Sequence, residues 1–195
     1  MDVQTKEMLK KLDKWVKEKS LKEKSGHDYS HAKRVEKIAL NLAKDFKNID
    51  YEVLIASCLI HDTYEKNKTP KILKNLGFEK EKIQKINKIV IQFRHIGKKP
   101  KEKFVKSIES EIFLDADNLD AMGSIGISRA IAFGTSRGFP LFKSKDDSLN
   151  DSIYGTIKEI IKWKDSMHTK EAKKMAKKRM RIMKKFLQNM EKEFG

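Results

Sequence analysis

The sequence is poor in the residues that punctuate or cross-link a chain: one cysteine (Cys58), three prolines and nine glycines in 195 residues. A single thiol excludes an internal disulfide framework and leaves too few sulfurs for a structural zinc site. So little glycine and proline argues against a strand-and-turn architecture, which needs more breaks. No apolar run approaches the roughly 18 residues that cross a bilayer. The opening stretch Met1-Asp2-Val3-Gln4-Thr5-Lys6-Glu7 lacks the apolar centre of a signal peptide. Acidic residues are also in deficit, 28 against 44 Lys and Arg, for a net charge of +16. The length suits one domain with a sizeable core and is short for two. The expectation is an all-α, single-domain, cytoplasmic protein.

A charge of this sign invites a nucleic-acid reading, because a basic surface displaces counterions from phosphate backbones. The distribution weakens it. Only six of the basic residues are arginine, the residue favoured for bidentate phosphate recognition. The densest stretch, Lys170 to Lys185, carries Ala172, Ala176, Met180 and Met183 at three- and four-residue steps, continued by Leu187, Met190 and Phe194. That is one apolar helix face with a solvated lysine face opposite. The charge is compatible with attracting nucleotides and is not evidence for a nucleic-acid partner.

Periodicity gives the helices. Met8, Leu12, Trp15 and Val16 mark the first. A second starts near Asp28 or Ser30, both fit to cap it, and carries Val35, Ile38, Ala39, Leu42 and Phe46. Tyr51 to Asp62, which Asp50 can cap, is apolar all round and so is expected at the centre. Thr69-Pro70 fits a helix start and Leu76-Gly77 a stop. Ile83, Ile86, Val90 and Phe93 mark a further helix, broken by Gly97-Lys98-Lys99-Pro100. Another covers Glu109 to Ala121, and Gly123, Gly126 and Ser128 then offer small residues for close helix contacts. Thr135 to Asp151 reads as a long irregular stretch, with Lys143, Lys145, Asp146 and Asp147 on a candidate lid. Helices around Ile153 to Trp163 and Lys170 to Phe194 complete the chain.

His31 lies at the start of the second helix, and His61-Asp62 ends the most apolar one. Asp115, Asp117 and Asp120 fall together in Leu114-Asp115-Ala116-Asp117-Asn118-Leu119-Asp120. Polar groups at a buried helix end need a partner. A divalent cation shared by two imidazoles and two carboxylates would provide it, and a structural His-Asp pair is the alternative. Nitrogen and oxygen donors together suit Mn²⁺, Fe²⁺, Co²⁺ or Zn²⁺.

At these residues the sequence resembles the HD-domain superfamily of metal-dependent phosphohydrolases, whose signature of a histidine, a His-Asp dyad and a later aspartate reads His31 … His61-Asp62 … Asp117. The flanks Gly26-His27-Asp28-Tyr29-Ser30-His31-Ala32-Lys33-Arg34-Val35 and Leu114 to Arg129 are similar to the small bacterial and archaeal branch that includes nucleotide pyrophosphohydrolases. The resemblance implies a helical bundle of HD type over residues 1–195, with a core at 26–125 and C-terminal helices at 152–194 packing on it. It implies that His31, His61, Asp62 and Asp117 hold one metal ion. Mn²⁺ is the first candidate, with Fe²⁺, Co²⁺, Zn²⁺, Ni²⁺ and Mg²⁺ behind it. Asp115 and Asp120 are then supporting or capping groups.

The implied reaction is attack of metal-activated water on a phosphorylated small molecule, a nucleotide first of all. Asp62 and Glu65 are the catalytic candidates, with Glu65 orienting water or handling a proton. An exposed helix-end glutamate is the other reading of Glu65. His27, Arg34, Arg94 and Arg129 are the candidates for substrate contact. His27 stands about one helical turn before His31, where capping is an equal alternative. His95 lies beside Arg94, His168 reads as structural, and Cys58 as packing. The branch resemblance points to release of pyrophosphate from nucleoside triphosphates. The alternatives are a phosphomonoesterase, a cyclic-nucleotide phosphodiesterase, or a non-catalytic basic nucleic-acid-binding protein. A homodimer remains open, and no membrane partner is expected.

Overall fold

In the computed structural model, residues 1–23, 25–93 and 107–195 are described. Among them are nine α-helices, two short 3-10 segments and no strand. The helices are α1 (Val3–Lys19), α2 (Tyr29–Leu42), α3 (Tyr51–Ile60), α4 (Thr69–Asn75), α5 (Lys80–Phe93), α6 (Ile108–Asp120), α7 (Gly123–Ser136), α8 (Ile153–Lys162) and α9 (Lys170–Phe194). The expected break at Gly97 to Pro100 lies outside the described residues.

Two compact units divide the chain. The first comprises Met1–Lys22 and Tyr29–Leu114, the second Glu23–Asp28 and Asp115–Gly195. In the first unit α3 is the hub, packed against α1, α2 and α5. Every α3 residue after Tyr51 is buried, as an all-round apolar helix must be. Even Glu52 is inside, paired at 2.6 Å with Lys82 of α5. Asp50 caps α3 by accepting from the Val53 N–H at 3.2 Å. The helix ends at Ile60, two residues before the expected stop, with His61 as its C-cap. Around this hub α1 buries Leu9, Leu12 and Val16, and α2 buries Ala32, Val35, Ala39 and Leu42. Met8, expected in the core, lies at its margin with its sulfur against Gly77.

In the second unit α7, α8 and α9 pack on one another. Ser152 caps α8 through the Gly155 N–H at 3.0 Å, and Thr169 caps α9 through the Ala172 N–H at 3.2 Å. Ala172, Ala176, Met183 and Leu187 form the buried face of α9. The small residues of α7 act unequally. A Cβ on Gly126 would stand 2.0 Å from the Ala121 carbonyl oxygen, so the turn between α6 and α7 demands glycine there. Ser128 instead faces solvent and bonds its own helix at Ser124. The stretch after α7 is anchored, unlike a free lid. Asp147 is buried and accepts from the Lys143 and Ser144 amides at 3.0 and 3.1 Å, and the Lys158 ammonium holds the Lys145 carbonyl at 2.6 Å.

Candidate metal centre

His31 is the third residue of α2 and is fully buried, and His61 caps the C-terminus of α3 at 1% exposure. Because α2 packs on α3, two residues 30 apart in sequence meet with their Nε2 atoms 3.0 Å apart. The His61 Nδ1 lies 2.8 Å from the Cys58 carbonyl oxygen. A carbonyl only accepts, so Nδ1 carries a proton, and Nε2 is the nitrogen left to offer a lone pair to an ion. Cys58 is packed as expected, and its backbone oxygen sets the tautomer. The His61 ring is further held edge-on by His31, with centroids 5.0 Å apart, and by Phe113 at 5.4 Å.

Asp62 follows directly and closes a triangle. Its Oδ2 is 3.3 Å from His31 Nε2 and 3.2 Å from His61 Nε2. Three donors set at right angles around one ion, each about 2.1 Å away, stand about 3 Å from one another. Two imidazole nitrogens and a carboxylate oxygen at this spacing fit a divalent transition metal. Burial pushes the Asp62 carboxyl up, and the His61 and His31 imidazoles outweigh it, holding it well below the usual carboxylate range. The group can therefore serve as an anionic ligand at any physiological pH.

The later aspartates divide their work. Asp115 is fully buried and accepts from the His168 and Thr169 amides at 2.8 and 2.7 Å and from the His168 ring at 3.0 Å. It ties α6 to the start of α9, and His168 is structural. Asp120 accepts from Arg129 at 3.2 Å, and Arg129 also donates to the Gly26 carbonyl at 2.8 Å. Asp117, between them, is buried on α6 one turn after Phe113.

The remaining candidates are placed as follows. The Arg129 side chain is 13% exposed and braces the 23–28 segment against α7. His27 belongs to that segment and precedes α2, so it is not one helical turn before His31. Its Nδ1 lies 3.0 Å from the Ser25 hydroxyl, and its ring stands edge-on to Phe133 at 6.2 Å. Arg34 is half-buried and donates to the Ser30 hydroxyl at 2.9 Å. Glu65 is 38% exposed and paired with Lys68 at 2.7 Å and Lys19 at 3.2 Å, hydrogen bonds that keep its carboxyl below the usual value. Arg94 and His95 lie outside the described residues.

No family model matches the chain. A Bacillus subtilis (strain 168) relative, the uncharacterized protein YpgQ, is 29% identical over 191 residues, covering 92% of this chain and 90% of YpgQ. The crystal structure of B. subtilis YpgQ in complex with ADP superposes with a TM-score of 0.81 at 23% identity, over 98% of this chain and 97% of that one. An HD-superfamily hydrolase from Bacillus thuringiensis superposes with a TM-score of 0.74 at 29% identity, over 97% and 98%. The chain therefore shares the fold of an HD-superfamily hydrolase, and carries His31, the His61-Asp62 pair and Asp117 in the order of the HD signature.

Proposed function

We propose that this chain is a divalent-metal-dependent phosphohydrolase of nucleotides, with one ion held by His31, His61, Asp62 and Asp117. The observation that carries the reading is the triangle of His31 Nε2, His61 Nε2 and Asp62 Oδ2, with sides of 3.0, 3.2 and 3.3 Å. Asp117 is assigned as the fourth ligand because it is a buried carboxylate one turn beyond Phe113, whose ring packs on His61. This assignment requires residues 1–195 to work as one HD domain. Mn²⁺ is the first candidate ion, since mixed imidazole and carboxylate donors suit it and it leaves positions open for other oxygens.

The bound ion would polarise phosphoryl oxygen and make water a better nucleophile. The protein supplies the rest. Cys58 and Phe113 fix the His61 ring so that its Nε2 lone pair is aimed before the ion arrives. Glu65 stays ionised, so its part is that of an acceptor orienting water, with Lys19 and Lys68 holding it in place. His27 and Arg34 are assigned to substrate contact, and Arg129, expected to join them, to keeping the segment that bears His27 in position. A nucleotide substrate is supported by the ADP-bound structure of YpgQ, whose fold this chain shares.

The finer proposal is that nucleoside triphosphates are cut to the monophosphate and pyrophosphate. The test is a panel of nucleoside tri-, di-, mono- and cyclic monophosphates incubated with chelator-treated protein, with and without Mn²⁺. Pyrophosphate released only with metal supports the proposal. Orthophosphate, or a linear monophosphate from a cyclic one, supports instead the alternative esterase activities on the same residues. No hydrolysis with any divalent ion overturns it.

A further inference from the structure

The C-terminal helix carries more cationic charge than its packing uses. Lys170, Lys173, Lys177, Arg181, Lys184 and Lys185 are all exposed on α9. At 3.6 residues per turn they occupy an arc of about 120°, within which Lys174 also falls, and Lys178 widens it to about 140°. The stripe is about 23 Å long between Lys170 and Lys185 at the helical rise. Glu171 pairs with Lys174 at 3.1 Å. Among the described residues, none of the six cations named first has an acidic partner.

Elsewhere in the protein some exposed lysines find acids, as Lys68 does with Glu65 and Lys162 with Glu159; others, such as Lys71 and Lys74, have no acidic partner among the described residues but form no row of this length. Unneutralised like charges set one turn apart on a helix repel one another and destabilise it modestly. A polyanion laid along the stripe would remove that repulsion.

We propose that this face of α9 binds the phosphate backbone of a nucleic acid, without sequence preference. Four observations select that occupant. The cations are mostly lysines, which act as point charges on phosphate and carry little base-reading geometry. They recur every three to four residues along one line, matching a repeating anion better than a single ligand. The stripe has no aromatic side chain on which bases could stack, so a duplex is favoured over a single strand. A lipid surface is disfavoured because Ala172, Ala176, Met183 and Leu187 of the apolar face of α9 are already buried, leaving Ile182 and Phe194 as the exposed large apolar side chains of the helix, too few for an inserting face. The sequence pattern alone shows a solvated face; the structure adds that its charges have no acidic partners among the described residues.

The test is fluorescence anisotropy of the full chain with a labelled 20-base-pair duplex of arbitrary sequence, from 50 to 300 mM salt. Two variants are compared, each removing four exposed positive charges: K173Q/K177Q/R181Q/K184Q on α9, and K37Q/K44Q/K71Q/K74Q on α2, α4 and the segment between α2 and α3. The unmodified chain is expected to bind with a log–log salt slope of about −4 or steeper, and the α9 variant to lose about 3 of that slope. At 100 mM salt the α9 variant should bind at least tenfold more weakly, and the control variant within about threefold of the unmodified chain.

Equal weakening in both variants would mean net charge alone is at work and would overturn the proposal. So would no duplex binding at 50 mM salt, or binding displaced by saturating ADP, which would place the duplex at the nucleotide site. Tighter binding to anionic phospholipid vesicles or to polyglutamate than to duplex would assign the stripe to another partner and also overturn it. Because the readout is binding, absence of hydrolytic activity would leave this result intact.

Discussion

The Nδ1 of His61 donates to the carbonyl oxygen of Cys58 at 2.8 Å, and this one bond decides which face of the imidazole is offered to the candidate ion. The bond is local, three residues along the end of α3, so the ring is oriented by the same turn that stops the helix. His31 and Asp62 then need only arrive at the Nε2 side, which α2 and the next residue in the chain accomplish.

Replacing His61 or Asp62 by alanine is expected to lower turnover by at least a hundredfold and to abolish stoichiometric Mn²⁺ retention, because each removes a ligand outright. Added Mn²⁺ should not rescue either variant. Metal analysis of the gel-filtered proteins, paired with nucleotide hydrolysis, checks both halves of the expectation. Unchanged turnover in both variants would dismiss the assignment.

Phe113 is fully buried with its ring against His61. Phe113→Ala should destabilise the fold by about 3–5 kcal/mol through lost burial and a residual cavity. It should also loosen the His61 ring, so Mn²⁺ affinity should fall under conditions where the variant remains folded. Urea unfolding followed by circular dichroism gives the first quantity, and calorimetric metal titration the second. Phe113→Leu is expected to recover most of the stability and less of the affinity.

Gly126→Ala places a methyl group 2.0 Å from the Ala121 carbonyl oxygen, a backbone atom that cannot move aside cheaply. The expected loss is about 1–3 kcal/mol or more, read as a lower midpoint in thermal unfolding. Ser128→Ala on the same helix, at an exposed position, should leave the midpoint within the error of the measurement.

Asp147 supplies the pH test. Burial raises its carboxyl, but bonds from Ser152 and from the Lys143 and Ser144 amides overcome this and leave it below its ordinary value of 3.8. A depressed folded value means the group favours the native state above the unfolded pKa and loses that contribution as pH falls through the folded one. The stability gap between the unmodified chain and Asp147→Asn should therefore be constant from pH 7 to about 5 and close progressively below about 4. Urea midpoints between pH 7 and 2.5 measure it. A gap that widens toward acid would contradict the assignment.

Much of the architecture is written in local pattern. The Asp50 cap, the Thr69-Pro70 start, the all-round apolarity of α3 and the one-sided apolar face of α9 each depend on residues within a few turns, and each occurs where expected. The pairing of His31 with the His61-Asp62 dyad was legible only because the resemblance to the HD superfamily named it. What stayed hidden acts through backbone atoms or across long separations. The Cys58 carbonyl leaves no trace in a side-chain pattern. The bonds from His168 and Thr169 to Asp115 span more than 50 residues. Arg129 looks like a phosphate contact until its guanidinium is seen holding Gly26 and Asp120. The α7 helix was concealed by its glycines, which suit Gly126's close approach and lower helix propensity together.

The central claim is that His31, His61, Asp62 and Asp117 converge on one ion. Its most direct test is an anomalous difference map, collected near the manganese edge, from crystals of the full chain grown with Mn²⁺. The account predicts one strong peak per chain, about 2.0–2.3 Å from the Nε2 atoms of both histidines and from an oxygen of each aspartate. A well-diffracting crystal with no peak there, or with manganese bound only elsewhere, would contradict it.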